Sequence, residues 1–237
     1  MAAKFDELRT RHLVDVRNFT SEAAQRLEWS REQVRDEQTR RLRKVVAHAQ
    51  QASPLHADRL GHLEASKLEL SDLAKIPPMT KATVMDNWDR LVTDDRLHLD
   101  EVMTHLDRLH AGDEHNAYYL NQYYAAATGG TSGKRGVFLW DWETFVVTAN
   151  ITYRMDARLD RMNPPPHPRR TAVICAGSYV HASRFLFPTS LDPQRHVCVL
   201  PAGLPIDELV DQLNEYQPDR IVGYASIVEE LDRKSVV

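Results

Sequence analysis

Between Thr128 and Gly136 the sequence reads TGGTSGKRG, which places four of the chain's nine glycines within nine residues. Glycine lets backbone N–H groups face a ligand with no side chain in the way. Thr131 and Ser132 add hydroxyls that both donate and accept, and Lys134 adds a mobile positive charge. Amides, hydroxyls and one cation in so short a segment suit a polyanion, above all the phosphates of a nucleotide. The competing reading is a surface turn with no ligand.

The P-loop of nucleotide hydrolases reads GxxxxGK and then Ser or Thr, the last residue holding magnesium. Here Thr128 stands where the first glycine should be, and Arg135 follows the lysine. That motif also opens a helix. In this chain VFLW at 137–140 predicts a strand leaving the cluster, and YYLNQYYAAA predicts a strand running into it. No Rossmann dinucleotide fingerprint is present. The expected element is therefore strand–loop–strand, with a loop of Gly, Thr and Ser carrying one lysine.

The elements that must position this loop fall into two textures. The first half is polar and helical. Ser30 and Gln33 predict a capping box before a helix whose inward face carries Leu42, Val45, Val46 and Ala49. Asp36 with Arg40, and Glu37 with Arg41, are acid-before-base pairs on its wet side, so its arginines read as a solvated face and not a nucleic-acid patch. Ser53-Pro54 ends it. Thr80 predicts the cap of a helix to about Arg90, and a further helix is expected from Asp100 to Leu109 with Val102, Met103, Leu106 and Leu109 inward. After His110-Ala111-Gly112-Asp113 the texture changes. A long helix from Asp141 or Trp142 to about Met162 follows the glycine cluster, then a proline-rich loop. TAVICA (171–176), HVCVL (196–200) and DRIVGY (219–224) read as strands, with helices over IDELVDQLNEY (206–216) and SIVEELDRK. Alternating strands and helices imply an α/β fold with a largely parallel sheet. The expected division is a mostly helical region over 1–115 and an α/β region over 116–237.

The net charge of −4 argues against a dedicated nucleic-acid binder. The start, MAAKFDELRTRHLVD, lacks the apolar centre of a secretion signal, and no apolar run approaches the ~18 residues that a membrane span needs. Cys175 and Cys198 lie in apolar runs and read as reduced core residues. A soluble cytoplasmic protein is expected, with neither nucleic acid nor membrane among its partners.

Residue by residue, Thr128-Gly129-Gly130-Thr131-Ser132-Gly133-Lys134 resembles the phosphate loop of adenylate-forming enzymes, the superfamily of acyl-CoA synthetases and nonribosomal adenylation domains. Arg135 departs from the proline usual there, which implies a looser exit from the loop. RLRKVVAHAQQASPLHADRL followed by LAKIPPMTKATVMDNW is similar to the N-terminal region of phenylacetate–CoA ligase-like members, with Ile76-Pro77-Pro78-Met79-Thr80-Lys81 in place of their Leu-Pro-x-x-Thr-Lys stretch. VGYASIVEEL is similar to the Gly-x-Pro-Ser-x-Leu segment after a core strand, with Ala225 in place of the proline. The three matches run in the family's order from about residue 41 to 231.

The resemblance implies the N-terminal domain of an adenylate-forming enzyme, with ATP and Mg2+ as cofactors. A carboxylic acid, aryl or acyl, is the expected substrate, and coenzyme A or a carrier protein the thiol acceptor. Thr131 and Ser132 would donate to the β- and γ-phosphates, Gly130 and Gly133 would serve as amide donors or pivots, and Lys134 would supply the charge. Tyr179 and His181, after the TAVICA strand, fall where relatives build the acyl pocket. The family's later motifs for adenine, magnesium and ribose, and its C-terminal catalytic lysine, have no counterpart in this sequence, and Lys234 lacks the context of that lysine. The expectation is an N-terminal part that does not complete the ligase cycle by itself. The alternative is a non-catalytic nucleotide-binding module or one completed by a partner. Trp140, Trp142, Tyr118, Tyr119, Tyr123 and Tyr124 read as packing, Lys81 as a solvated helix start, and the histidines show no metal-binding spacing.

Overall fold

The computed structural model describes residues 2–113, 117–128, 135–184 and 196–235. Of the phosphate-loop candidates, Thr128 is among them. Gly129, Gly130, Thr131, Ser132, Gly133 and Lys134 lie outside the described residues. The fold is mixed α/β, with helix outweighing strand and a small parallel sheet of three strands. The chain forms two compact units, one of Met1–Ala24, Leu106–Gly129 and Phe138–Val237, the other of Gln25–His105 and Gly130–Val137. Among the described residues no helix is long and apolar enough to cross a membrane.

The second unit is helical. After α1 (Ala2–Gln25), α2 (Arg31–Ala52) starts at a complete capping box: Gln33 N–H donates to Ser30 Oγ at 3.2 Å, and Ser30 N–H to Gln33 Oε1 at 2.8 Å. Leu42 and Val46 pack on Leu60 and Leu68, but Val45 is 59% exposed, unlike the expectation. The reason lies in two polar neighbours. Arg43 donates to Leu68 C=O and Gln50 to Leu60 and Leu63 C=O, which turns the packed face of the helix toward their side. On the wet face Glu37 takes both Arg41 and Arg40, at 2.6 Å each, so Arg40 pairs with Glu37 and not with the expected Asp36. Ser53 ends α2 and caps α3 (Pro54–Leu60), whose first residue is the proline. Thr80 caps α4 (Lys81–Asp86), with exposed Lys81 at its start; the helix then breaks at Asn87, whose side chain donates to Thr83 C=O, before α5 (Trp88–Leu91). The division between units falls within α6 (Leu99–His110), where Val102, Leu106 and Leu109 are buried and Met103 is half-buried.

In the first unit, the expected single strand over YYLNQYYAAA is a hairpin. β1 (Tyr118–Tyr119) pairs antiparallel with β2 (Tyr123–Ala127). Leu120 and Asn121 both take positive φ, and Gln122 N–H closes the turn onto Tyr119 C=O at 3.0 Å. Asparagine enters that region readily and leucine does not, so the turn lacks the Asn-Gly pair that would announce it. β2 is buried throughout, in a sheet ordered β1, β2, β3 (Val137–Asp141). Tyr124 and Ala126, on one face, pack with Phe145, Val146 and Ala149 of α7 (Trp142–Met162) and Val16 of α1; Trp140 and Trp142 border the cluster. Asp141 caps α7, its carboxylate accepting from Thr144 N–H at 2.8 Å.

Polar contacts join α1 to α7. The Asn150 amide donates to Val16 and Val146 C=O at 3.0 and 2.9 Å and accepts from Thr20 Oγ1 at 2.7 Å. His12, 1% exposed, sits among Trp142, Phe145 and Tyr118, with ring centroids at 4.1, 4.5 and 5.7 Å. Its Nδ1 meets the Tyr118 hydroxyl at 3.0 Å. Burial lowers its pKa from 6.5 to about 4, with Asp15 partly opposing. A histidine that stays neutral when folded and charges when unfolded contributes stability that is full above pH 6.5 and declines as pH falls toward 4. The expected loss over that window is about 3 kcal/mol. Urea denaturation across the window should show it, and His12→Phe should flatten the dependence; an unchanged slope in the variant would refute the assignment.

Candidate functional site

Three parallel strands build the floor of the candidate site. β4 (Thr171–Cys175) lies between β5 (Val197–Pro201) and β6 (Arg220–Val222), in the order β5-β4-β6. Thr171 is opposite Val197 on one side and Arg220 on the other. Arg170 C=O accepts from Asp219 and Arg220 N–H, and Asp219 Oδ2 accepts from Arg170 N–H at 2.7 Å, which locks β6 in register. Ala172, Ile174 and Leu200 pack on Leu209 and Leu213 of α8 (Ile206–Tyr216) and Leu231 of α9 (Ala225–Ser235). The chain leaves β4 for β5 on one side, then crosses to β6 on the other. Connections that part from neighbouring strands leave a crevice at the carboxyl ends, where open α/β sheets bind ligands.

Both acyl-pocket candidates lie at that end, in the segment Ala176–Arg184. Tyr179 and His181 are half-buried. The buried Tyr124 hydroxyl reaches up from β2 and donates to Arg184 and Tyr179 C=O at 3.2 and 3.4 Å. Burial pushes that phenol well above its ordinary pKa, so it stays a donor. The Arg184 guanidinium stacks 4.4 Å over the Tyr179 ring and donates to Gly177 C=O at 3.2 Å. His181 Nδ1 lies 3.0 Å from Ser183 Oγ, which also accepts from Ala176 N–H at 3.0 Å and Tyr224 O–H at 2.8 Å. His110, at the end of α6, places Nδ1 2.9 Å from Ser178 Oγ.

One pairing ties the end of β2 to this cluster. Ala127 N–H donates to Val180 C=O at 2.7 Å, and Ala127 forms a parallel bridge with His181. Thr128 is therefore the next residue after one paired with His181. The sequence reading singled out Tyr179 and His181 but missed Ser183, Tyr224, Tyr124 and Ser178. A hydroxyl two residues beyond a histidine was the one local sign of Ser183; the rest depends on contacts across 41 or more residues.

Cys175 and Cys198 are free thiols, and burial pushes both upward in pKa, which leaves them protonated and unreactive. Lys234 pairs with Asp207. Among the described residues no three His, Cys, Asp or Glu side chains gather as metal ligands. No protein-family model and no curated protein matches the chain.

Gly223 lets β6 end against β4. A Cβ there would stand 2.9 Å from Ile174 Cβ and 3.2 Å from Ile174 O. β6 covers Arg220–Val222, shorter than the strand expected over DRIVGY. Gly223→Ala should destabilise the fold by about 1–3 kcal/mol, the range for an overpacked site, read as a lower urea midpoint. A midpoint equal to the parent's would mean that the approach of the two strands can relax.

Proposed function

We propose that this chain is an adenylate-forming, phenylacetate–CoA ligase-like protein, carrying the phosphate loop and part of the carboxylate pocket. The observation that supports the reading is the Ala127 pairing with Val180 and His181. It sets the entry to TGGTSGKRG beside Tyr179 and His181 at the carboxyl end of a parallel sheet. Adenylation needs that neighbourhood. A carboxylate oxygen attacks the α-phosphorus of ATP, the bond to the β-phosphate oxygen breaks, and pyrophosphate leaves. A thiol, of coenzyme A or a carrier protein, then displaces AMP from the acyl-adenylate.

The loop's part in this reaction is to hold the β- and γ-phosphates in line while charge moves toward pyrophosphate. Thr131 and Ser132 would donate from their hydroxyls, Gly130 and Gly133 from backbone amides, and Lys134 would offset the growing charge. Among the described residues no three His, Cys, Asp or Glu side chains are gathered to hold a metal ion.

A charge-assisted hydrogen bond contributes roughly 1.5–3 kcal/mol, so Lys134→Ala should weaken ATP binding by about one to two decades. Calorimetric titration of ATP into the parent and variant chains measures this. Equal affinities would overturn the role of Lys134, and no ATP binding by the parent would overturn the whole reading. Pyrophosphate release with ATP and arylacetic acids separates a chain that turns over from one that only binds nucleotide.

A further inference from the structure

Two backbone N–H groups, which can only donate, set the direction of every hydrogen bond around His181. Ser183 N–H donates to His181 Nδ1 at 3.2 Å, so Nδ1 presents a lone pair. Ala176 N–H and Tyr224 O–H both donate to Ser183 Oγ, at 3.0 and 2.8 Å. With both lone pairs of that oxygen in use, the serine proton has one acceptor left, His181 Nδ1 at 3.0 Å. A neutral imidazole that accepts at Nδ1 carries its own proton on Nε2.

We infer that Ser183 and Tyr224 are positioning residues that hold His181 as an Nε2–H donor, so that it receives an acceptor oxygen of a bound ligand, a carboxylate above all, and does not act as a base. A general base must turn a lone pair toward the proton it takes. The only lone pair on this ring faces Ser183. Tyr224 belongs to the VGYAS segment that follows β6, and Ser183 to the turn that follows β4, so the tautomer is set across the crevice between the two strand ends. The ligand half of this inference rests on the proposed function; the wiring of the ring does not.

Long-range proton–nitrogen correlation NMR on the full chain, labelled with nitrogen-15 histidine and recorded above the histidine titration range, reads the tautomer directly. His181 is identified by the signal lost in His181→Gln. The parent should show a single Nε2–H tautomer with Nδ1 displaced from an unbonded imidazole. Ser183→Ala, which loses the hydroxyl but keeps the backbone N–H on Nδ1, should move Nδ1 part of the way toward the unbonded position while the Nε2–H tautomer persists, and Ser183→Thr, which keeps the hydroxyl, should restore the parent signal. Tyr224→Phe should give a smaller change of the same sign. An Nδ1–H tautomer in the parent, or a Ser183→Ala spectrum identical to the parent's, overturns the wiring. Should Ser183→Ala fail to fold, Tyr224→Phe decides: a shift supports the network and none overturns it.

Phenylacetate, titrated with ATP present, then tests the ligand half. Movement of the His181 Nε2 signal is expected, and binding that leaves Nε2 unmoved overturns the donor role. If no resonance in the chain responds, the proposed function fails and takes the ligand half with it, while the tautomer result stands on the parent and variant spectra.

Discussion

Parallel pairing on both sides of β4 is the constraint from which the candidate site follows. A strand with two parallel neighbours cannot be joined to them by hairpins, so its connections must cross over the sheet and begin at carboxyl ends. β5 and β6 flank β4 on opposite sides, and the segments leaving β4 and β6 therefore part company above the sheet. Ser183 and Tyr224 meet across that point. Ala176–Arg184 rises from β4, Tyr224 from β6, and the gap between them is closed by hydrogen bonds to Ser183. Gly223 is what permits the approach, since any Cβ there would meet Ile174. From the other sheet, Tyr124 and Ala127 reach the same segment through backbone carbonyls, at Arg184, Tyr179 and Val180. Thr128, the first residue of the glycine-rich stretch, follows directly on β2.

A second constraint acts where α1 meets α7. Apolar contacts among Val16, Phe145, Val146 and Ala149 would tolerate a slide of one helix along the other. Asn150 does not tolerate it. Both of its amide hydrogens and its oxygen have partners, two of them on α1, and a slip would leave buried polar atoms unpaired. His12 is the less favourable case. Nδ1 reaches Tyr118, but Nε2 is buried without a partner, and the ring stays uncharged among aromatic faces. The charge of Asp15 offsets that burial only in part, and its carboxylate accepts from Trp142 Nε1 at 2.7 Å. The apolar surface supplies the attraction, and these few polar atoms select one alignment from many.

How much of this was legible depends on how local each feature is. The Ser30–Gln33 box, the end of α2 at Ser53-Pro54, the Thr80 cap and the start of α7 at Asp141 or Trp142 follow from neighbours within four residues and formed as expected, and the strand expected over TAVICA covers Thr171–Cys175. The Leu120–Asn121 turn was hidden because a leucine occupies a backbone region that side chains avoid. Its two strands fused into one apparent run. Val45 looked inward by spacing alone; long polar side chains on the next face decided otherwise by bonding carbonyls of a distant loop. At the candidate site the reading singled out Tyr179 and His181 from their place just after the TAVICA strand. It missed the partners that give His181 its chemistry, because those arrive from β6 and from the turn itself. Tyr118, Tyr119, Tyr123 and Tyr124, read as packing, are buried, and the Tyr124 hydroxyl reaches the candidate site.

The side chains at this crevice narrow the kind of chemistry it can host. Cys175 is held protonated by burial. Ser183 touches a histidine, yet both lone pairs of its oxygen are already engaged, so it has no electrons to offer an electrophile. Arg184 is committed to the Tyr179 ring and Gly177 carbonyl, and the Tyr124 hydroxyl to two carbonyls. Groups so fully engaged are poor nucleophiles and good rulers. Side chains held this way suit a reaction whose nucleophile and electrophile both come with the ligands, where the protein's part is to fix orientation and to offer donors where charge collects. Transfer between a bound carboxylate and a bound phosphoanhydride is a reaction of that kind. Hydrolysis through an acyl-enzyme on Cys175 or Ser183 is not, because each would first have to break the contacts, or leave the burial, that now define its place.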